Sequence, residues 1–152
     1  MKLLPFEKCE IESAVSADKL LAALVARSAG KHSIDGSTEP LVGEVEGNGF
    51  KCCRAITYRN SFLPIAVGKV IKNGNGSIIK FYLRPSVFSS IFMFFWFTPT
   101  FLISILLLIQ GNTAKTVAPI ALMFIFGYLL LQLCFWLEIP KIKEIFHEII
   151  ES

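Results

Sequence analysis

The sequence predicts an α+β fold in a membrane setting: a small antiparallel sheet of four to five strands with one or two helices, plus a transmembrane helical hairpin. Three observations carry this expectation. Two long runs, residues 86–109 and 116–137, contain no Asp, Glu, Lys, Arg or His. Before them, apolar and polar residues alternate on either side of two Gly/Asn turns, which is the period of strands. Near both ends of the chain the period lengthens to that of an amphipathic helix.

In chain order, residues 9–15 read as a short strand, and Ser16 follows as an N-cap with Asp18 in the first turn of a helix. Leu20, Leu21, Leu24 and Val25 supply its apolar stripe, and Gly30 is placed to end it. Residues 31–40 are polar and turn-forming and read as a flexible loop. Strands are expected at Leu41–Glu46 and residues 50–58, flanking Gly47-Asn48-Gly49, because Asn and Gly accept positive φ. A second hairpin joins residues 65–72 to 77–84 through Asn73-Gly74-Asn75-Gly76. The last strand passes through Pro85 into the first uncharged run.

A helix rises about 1.5 Å per residue, so roughly 20 apolar residues cross a hydrocarbon core of about 30 Å, and both runs suffice. In the first, Phe, Ile and Leu crowd every face, leaving no polar side to meet water. Pro99 is expected to kink it, while Pro119 falls in a first turn of the second. Residues 110–115 are so short a connection that the two helices must be antiparallel neighbours. Lys69, Lys72, Lys80 and Arg84 precede the hairpin and Lys141 and Lys143 follow it, against Lys115 alone in the loop. Basic residues stay on the cytoplasmic side, so both termini are expected in the cytoplasm and the chain in the inner cell membrane as a multi-pass protein. The sequon Asn75-Gly76-Ser77 then reads as turn chemistry. No signal-peptide pattern opens residues 1–10, so the head is expected to stay where it is made.

After the hairpin the helical period resumes. Pro140 suits a first turn, and Ile142, Ile145, Phe146, Ile149 and Ile150 share one face opposite Lys141, Lys143, Glu144, His147, Glu148 and Glu151. Anionic lipid would repel the acidic end of this helix, so it is expected to pack on the sheet. The domain organisation is therefore a soluble α+β part at residues 1–85, the hairpin at 86–138 and an amphipathic helix at 139–152 that completes the soluble part.

Composition narrows the function classes. A hydrophobic content of 53% is high for a soluble fold, and the excess lies in the two runs. A formal charge of +3 without a basic cluster speaks against nucleic-acid binding. The four cysteines show no framework spacing and Cys134 lies inside an uncharged run, so reduced thiols are expected.

The most distinctive stretch is Tyr58-Arg59-Asn60-Ser61-Phe62-Leu63-Pro64, followed by Gly68, with Gly43 and Phe50 upstream and a Gly-rich turn and Arg84-Pro85 downstream. It resembles a region, G-x-V…F-x-x-x-R…YRNSF-x-P…G-x-I, of small bacterial two-helix membrane proteins of uncharacterised function, in which it precedes a membrane hairpin. Residues 41–97 carry the likeness, and it implies the layout but no activity, substrate or catalytic residue. The layout is also similar to small membrane-linked sheets of the bacterial pleckstrin-homology type, as architecture alone.

Read physically, Asn60-Ser61 is a turn pair and Pro64 keeps a ladder-free stretch between strands, so Arg59 and Asn60 are placed to cap backbone carbonyls. The competing reading makes Tyr58, Arg59, Asn60 and Ser61 a ligand or partner contact, since an Arg beside a bilayer can grip a lipid phosphate. Cys52 and Cys53 alternate across a strand and cannot share a metal, so they read as packing residues. His32, His147 and the Gly30-Lys31 stretch match no zinc, triad or phosphate-loop pattern, and the aromatics of residues 92–97 read as interfacial anchors. No catalytic residue, cofactor or metal is expected. The chain reads as a non-enzymatic, membrane-anchored interaction or sensory module whose partner is a membrane protein or lipid headgroup. The alternative is a subunit of an oligomeric pore or transporter lined by Thr98, Thr100, Ser104, Tyr128 and Gln132.

Overall fold

The computed structural model describes residues 4–29, 39–58, 60–111 and 114–151. Its elements are β1 (Glu7–Ser13), α1 (Ala17–Ala26), β2 (Ser28–Ala29), β3 (Leu41–Glu46), β4 (Gly49–Arg54), β5 (Ile65–Asn73), β6 (Gly76–Arg84), α2 (Val87–Ile109), α3 (Ala114–Trp136) and α4 (Ile139–Glu151). The sheet order is β1-β6-β5-β4-β3-β2. Five strands are antiparallel, and the two residues of β2 add a short parallel edge on β3. The α+β class expected from the alternating runs is the class observed.

Both hairpins close where the turn residues place them, with Gly47 and Gly74 at φ of 56° and 57°. Three boundaries in the head differ from the sequence reading by two residues or more. The strand expected at 9–15 runs from Glu7 to Ser13, because all seven residues pair with β6. α1 ends at Ala26 with Arg27 as its C-cap, short of Gly30, because Ser28 and Ala29 turn to pair with Leu41 and Val42. β4 ends at Arg54 rather than at residue 58, for a reason that lies at the membrane junction. Ser16 caps α1 through backbone geometry, with no side-chain cap bond. Gly30 and the loop expected beyond it fall outside the described residues, apart from Glu39 and Pro40.

Among the described residues, one sheet face is covered and the other is open. Leu20 and Leu24 of α1 and Ile142, Phe146 and Ile149 of α4 meet Phe50, Cys52, Ala66, Val70, Ile79, Phe81 and Leu83 in one core. Phe146 stacks on Phe81 at 4.5 Å between ring centroids and lies 5.4 Å from Phe50. Burying Ile142, Phe146 and Ile149 contributes about 1.5–3 kcal/mol each relative to leaving them in water, and the face they form packs on the sheet. Lys143 ties it to Glu7 of β1 at 3.1 Å. The tail thus finishes the head that the first half of the chain begins, with α2 and α3 inserted between.

α2 and α3 are 23 residues each, about 34 Å of helix, with mean hydropathy 2.2 over their most apolar windows. Phe88, Phe95 and Ile109 are 75%, 71% and 78% exposed, a surface that water does not tolerate over this length. Both helices are long and apolar enough to cross a membrane. α2 stays helical through Pro99. Pro119 lies in the second turn of α3 rather than the first, because α3 starts at Ala114.

Candidate functional site

The distinctive motif occupies the connection from β4 to β5, and this connection is where the head meets the hairpin. Asn60 accepts the Phe62 amide on Oδ1 at 3.0 Å, the Asx turn its residue type favours. Its Nδ2 donates across the junction to the Cys134 carbonyl of α3 at 3.4 Å. The Ser61 carbonyl accepts from the Ser89 hydroxyl of α2. Ser89 in turn sits on the N-cap: its amide donates to Ser86 Oγ at 3.0 Å and the two hydroxyls lie 2.7 Å apart. Phe62 packs with Met93 of α2 and Leu131 of α3, flanked by Phe97 and Cys134. One short loop therefore grips both helices through polar and apolar contacts.

A second grip is ionic and centres on Glu138, in the turn between α3 and α4. The residue is only 4% exposed. Arg54 reaches it with Nε at 2.9 Å and Nη2 at 2.8 Å, Lys141 Nζ donates at 2.9 Å, and the Tyr58 hydroxyl donates to Oε1. Arg54 Nη2 also donates to the Tyr58 oxygen at 2.7 Å, and its guanidinium lies 5.8 Å from the centre of that ring. Burial pushes the Glu138 carboxyl up, but hydrogen bonds from Tyr58, Lys141 and Arg54, with the Arg54 charge, outweigh it and hold the pKa below the ordinary value of 4.5. The pull on Arg54 also explains why β4 stops there: a strand continued to residue 58 would carry Tyr58 away from Glu138.

The motif glycines belong to the same construction. A Cβ on Gly68 would lie 2.4 Å from that of Phe81, so only glycine lets β5 and β6 approach this closely beneath α4.

Of the sequence-derived contact residues, the structure joins Tyr58, Asn60 and Ser61 to the hairpin and its exit turn, while Arg59 lies outside the described residues. Asn60 caps a carbonyl as its type suggested; Tyr58 remains 47% exposed around its bonded hydroxyl. Arg54, Ser89, Glu138 and Lys141 were missed. Arg54 was present in the F-x-x-x-R element, and Glu138 is the first charge after an uncharged run, three residues before a lysine, which was the available signal. Together Tyr58, Asn60, Cys134, Leu137, Glu138 and Lys141 line an open groove of about 420 Å³.

Elsewhere, Cys52 is buried among core residues, where burial and then the neighbouring Cys53 raise its thiol pKa to about 12. Cys53 is directed to the other face, its Sγ 3.6 Å from the Val42 carbonyl. His147 is exposed on α4, and His32 lies outside the described residues. Among the described residues, no three His, Cys, Asp or Glu side chains cluster as metal ligands. Within the hairpin, Thr100 donates to the Trp96 and Phe97 carbonyls and Ser104 to the Thr100 carbonyl, all in their own helix. Tyr128, Gln132 and Trp136 form a chain along α3, with Gln132 Nε2 to Tyr128 at 2.8 Å and Trp136 Nε1 to Gln132 Oε1 at 2.6 Å.

Fold and junction together define a class, an α+β head clamped to two helices able to cross a membrane. Compared with protein-family models, curated proteins and solved structures, the chain finds no match in any of the three.

Proposed function

We propose that the protein is an integral membrane protein of the inner cell membrane, with both termini in the cytoplasm, whose head is a non-enzymatic interaction or sensory module. The observation that carries this reading is the double clamp: the motif loop and Glu138 hold the head on the hairpin, which keeps the open sheet face at a fixed place beside the bilayer. The basic residues before and after the hairpin support the orientation. The partner class is a membrane protein or a lipid headgroup.

The pore reading is weaker for a specific reason. A lining needs polar groups free to meet water or ions, and the Thr100 and Ser104 hydroxyls are turned to carbonyls of their own helix, while Tyr128 and Gln132 bond along α3. The test places a photo-reactive side chain at Tyr82, on the open face, and another at Glu144, on the exposed side of α4, in the full chain in native membranes. Adducts with protein or lipid at position 82 and few at 144 support an interaction face. Absence of adducts at 82, together with ion flux through liposomes carrying the purified chain, would favour the pore.

A further inference from the structure

α1 and α4 cover one face of the sheet, and among the described residues no element covers the other. On that open face the charges are sorted along the strands. β6 reaches α2 through Pro85 and Ser86 alone, so its last residues stand nearest the helical hairpin. The nearest row is Arg84, Ile65, Cys53 and Val42, and the next is Lys8, Tyr82, Val67, Lys51 and Glu44. Glu10, Lys80, Lys69, Gly49 and Glu46 follow, and Glu12, Ile78 and Ile71 lie farthest away. The two near rows thus hold Arg84, Lys8 and Lys51 against Glu44, which already has an interaction within the chain. The two far rows hold Lys80 and Lys69 against Glu10, Glu46 and Glu12, with Lys80 tied to Glu10 at 2.8 Å. An exposed aromatic pair lies at the basic end, where Phe6 stacks on Tyr82 at 5.7 Å between ring centroids.

We infer that the hairpin end of this face contacts anionic phospholipid of the bilayer that holds α2 and α3. This deepens the interaction reading above, on which it rests, by naming the partner. The sorting itself selects lipid over protein: it follows distance from the hairpin, which an acidic protein binding the face would not require. Rows on one face are two residues, about 7 Å, apart along a strand. A bilayer measures about 30 Å in its hydrocarbon and about 40–45 Å with its headgroups, leaving a polar layer of about 5–8 Å on each side. With α2 beginning at Val87, that layer covers the Arg84 row and reaches the Tyr82 row, while the acidic rows lie beyond it.

The groups at this end suit the ligand. Among the described residues, no carboxylate pairs with Lys8, Lys51 or Arg84, so their charges are open to phosphate. Arg84 offers a planar fork and the lysines point charges. Tyr82 and Phe6 are of the type that settles at a membrane boundary, with an apolar body and, in Tyr82, a polar tip. Lys8, Val67, Lys69, Lys80 and Tyr82, with Glu10, line an open groove of about 660 Å³, room enough for a headgroup.

The test uses the full-length chain with a photo-reactive side chain at Tyr82, or at Glu12 in the farthest row, in liposomes of phosphatidylcholine and phosphatidylglycerol in equal amounts. Position 82 should capture phosphatidylglycerol well beyond its share of the mixture, and position 12 should capture little lipid. Salt at about 1 M, where the screening length falls to about 3 Å, should remove the preference. Lys8→Gln and Lys51→Gln should each reduce it about fivefold, and Lys69→Gln, a row farther out, should reduce it less. The lipid and salt comparisons need no substitution in the basic rows, so they decide the matter even if a lysine variant fails to fold. Capture of the two lipids in equal amounts at position 82, or equal lipid yields at 82 and 12, would overturn the inference. Adducts at 82 with protein alone in native membranes would also overturn it while leaving the interaction reading in place. Release of the chain from the liposomes by alkali would instead remove the membrane reading beneath both.

Discussion

The Tyr58 hydroxyl donates to Glu138 across 80 residues of sequence, joining the loop after β4 to the turn that separates the hairpin from the last helix. Because Glu138 also takes Arg54 and Lys141, this turn is an ionic hub. A single carboxylate fixes three elements relative to one another, and its side chain is nearly closed to solvent.

Removing the hub should loosen the joint without dissolving the head. Glu138→Gln leaves the half-buried Arg54 without its counter-charge and should lower stability by about 2–3 kcal/mol. Lys141→Ala, on an exposed lysine, should shift unfolding far less. Thermal unfolding of the detergent-solubilised chain, followed by circular dichroism, measures both.

The pH dependence has a definite sign. The folded Glu138 pKa lies below its unfolded value, so its contribution is present above about pH 4.5 and is lost as pH falls through the lower folded value. Stability should therefore be level from neutral pH to about 5 and fall below that, with a shallower fall in Glu138→Gln. Equal slopes in the two proteins would assign the acid loss to other carboxylates.

Cys52 should resist alkylation at pH 8 in the folded protein, because a thiol with pKa of about 12 is scarcely ionised and lies in the core. Mass spectrometry after maleimide treatment should find Cys52 modified only once the chain is unfolded.

Gly127 sets the spacing of the hairpin. A Cβ there would lie 2.7 Å from Trp96 Nε1, and an indole ring has no flexible end to move aside. Gly127→Ala should spread α2 from α3 and shift tryptophan emission, although alanine favours a helix by about 1 kcal/mol. Adding Trp96→Phe should recover much of the lost stability by giving the methyl room.

Much of the fold was legible because it is written in local periods. The Ile142, Phe146 and Ile149 stripe announced a face that needed burial, and the Gly/Asn turns placed both hairpins. The misplaced boundaries share one cause, long-range pairing. α1 stops early because Ser28 meets Leu41, and β4 stops early because Arg54 meets a glutamate 84 residues away. The junction was half legible: Asn60 showed its turn chemistry, whereas Glu138 acquires its role only when the chain returns from the hairpin to the head.

α2 and α3 are expected to be more stable in lipid than in water and so to hold the folded head at the membrane surface. Alkaline extraction of membranes containing the full-length chain, followed by sedimentation, tests it most directly. The chain should stay in the membrane pellet and enter solution only with detergent. Its recovery in the supernatant as a folded, detergent-free monomer would instead show that the two helices do not reside in the bilayer.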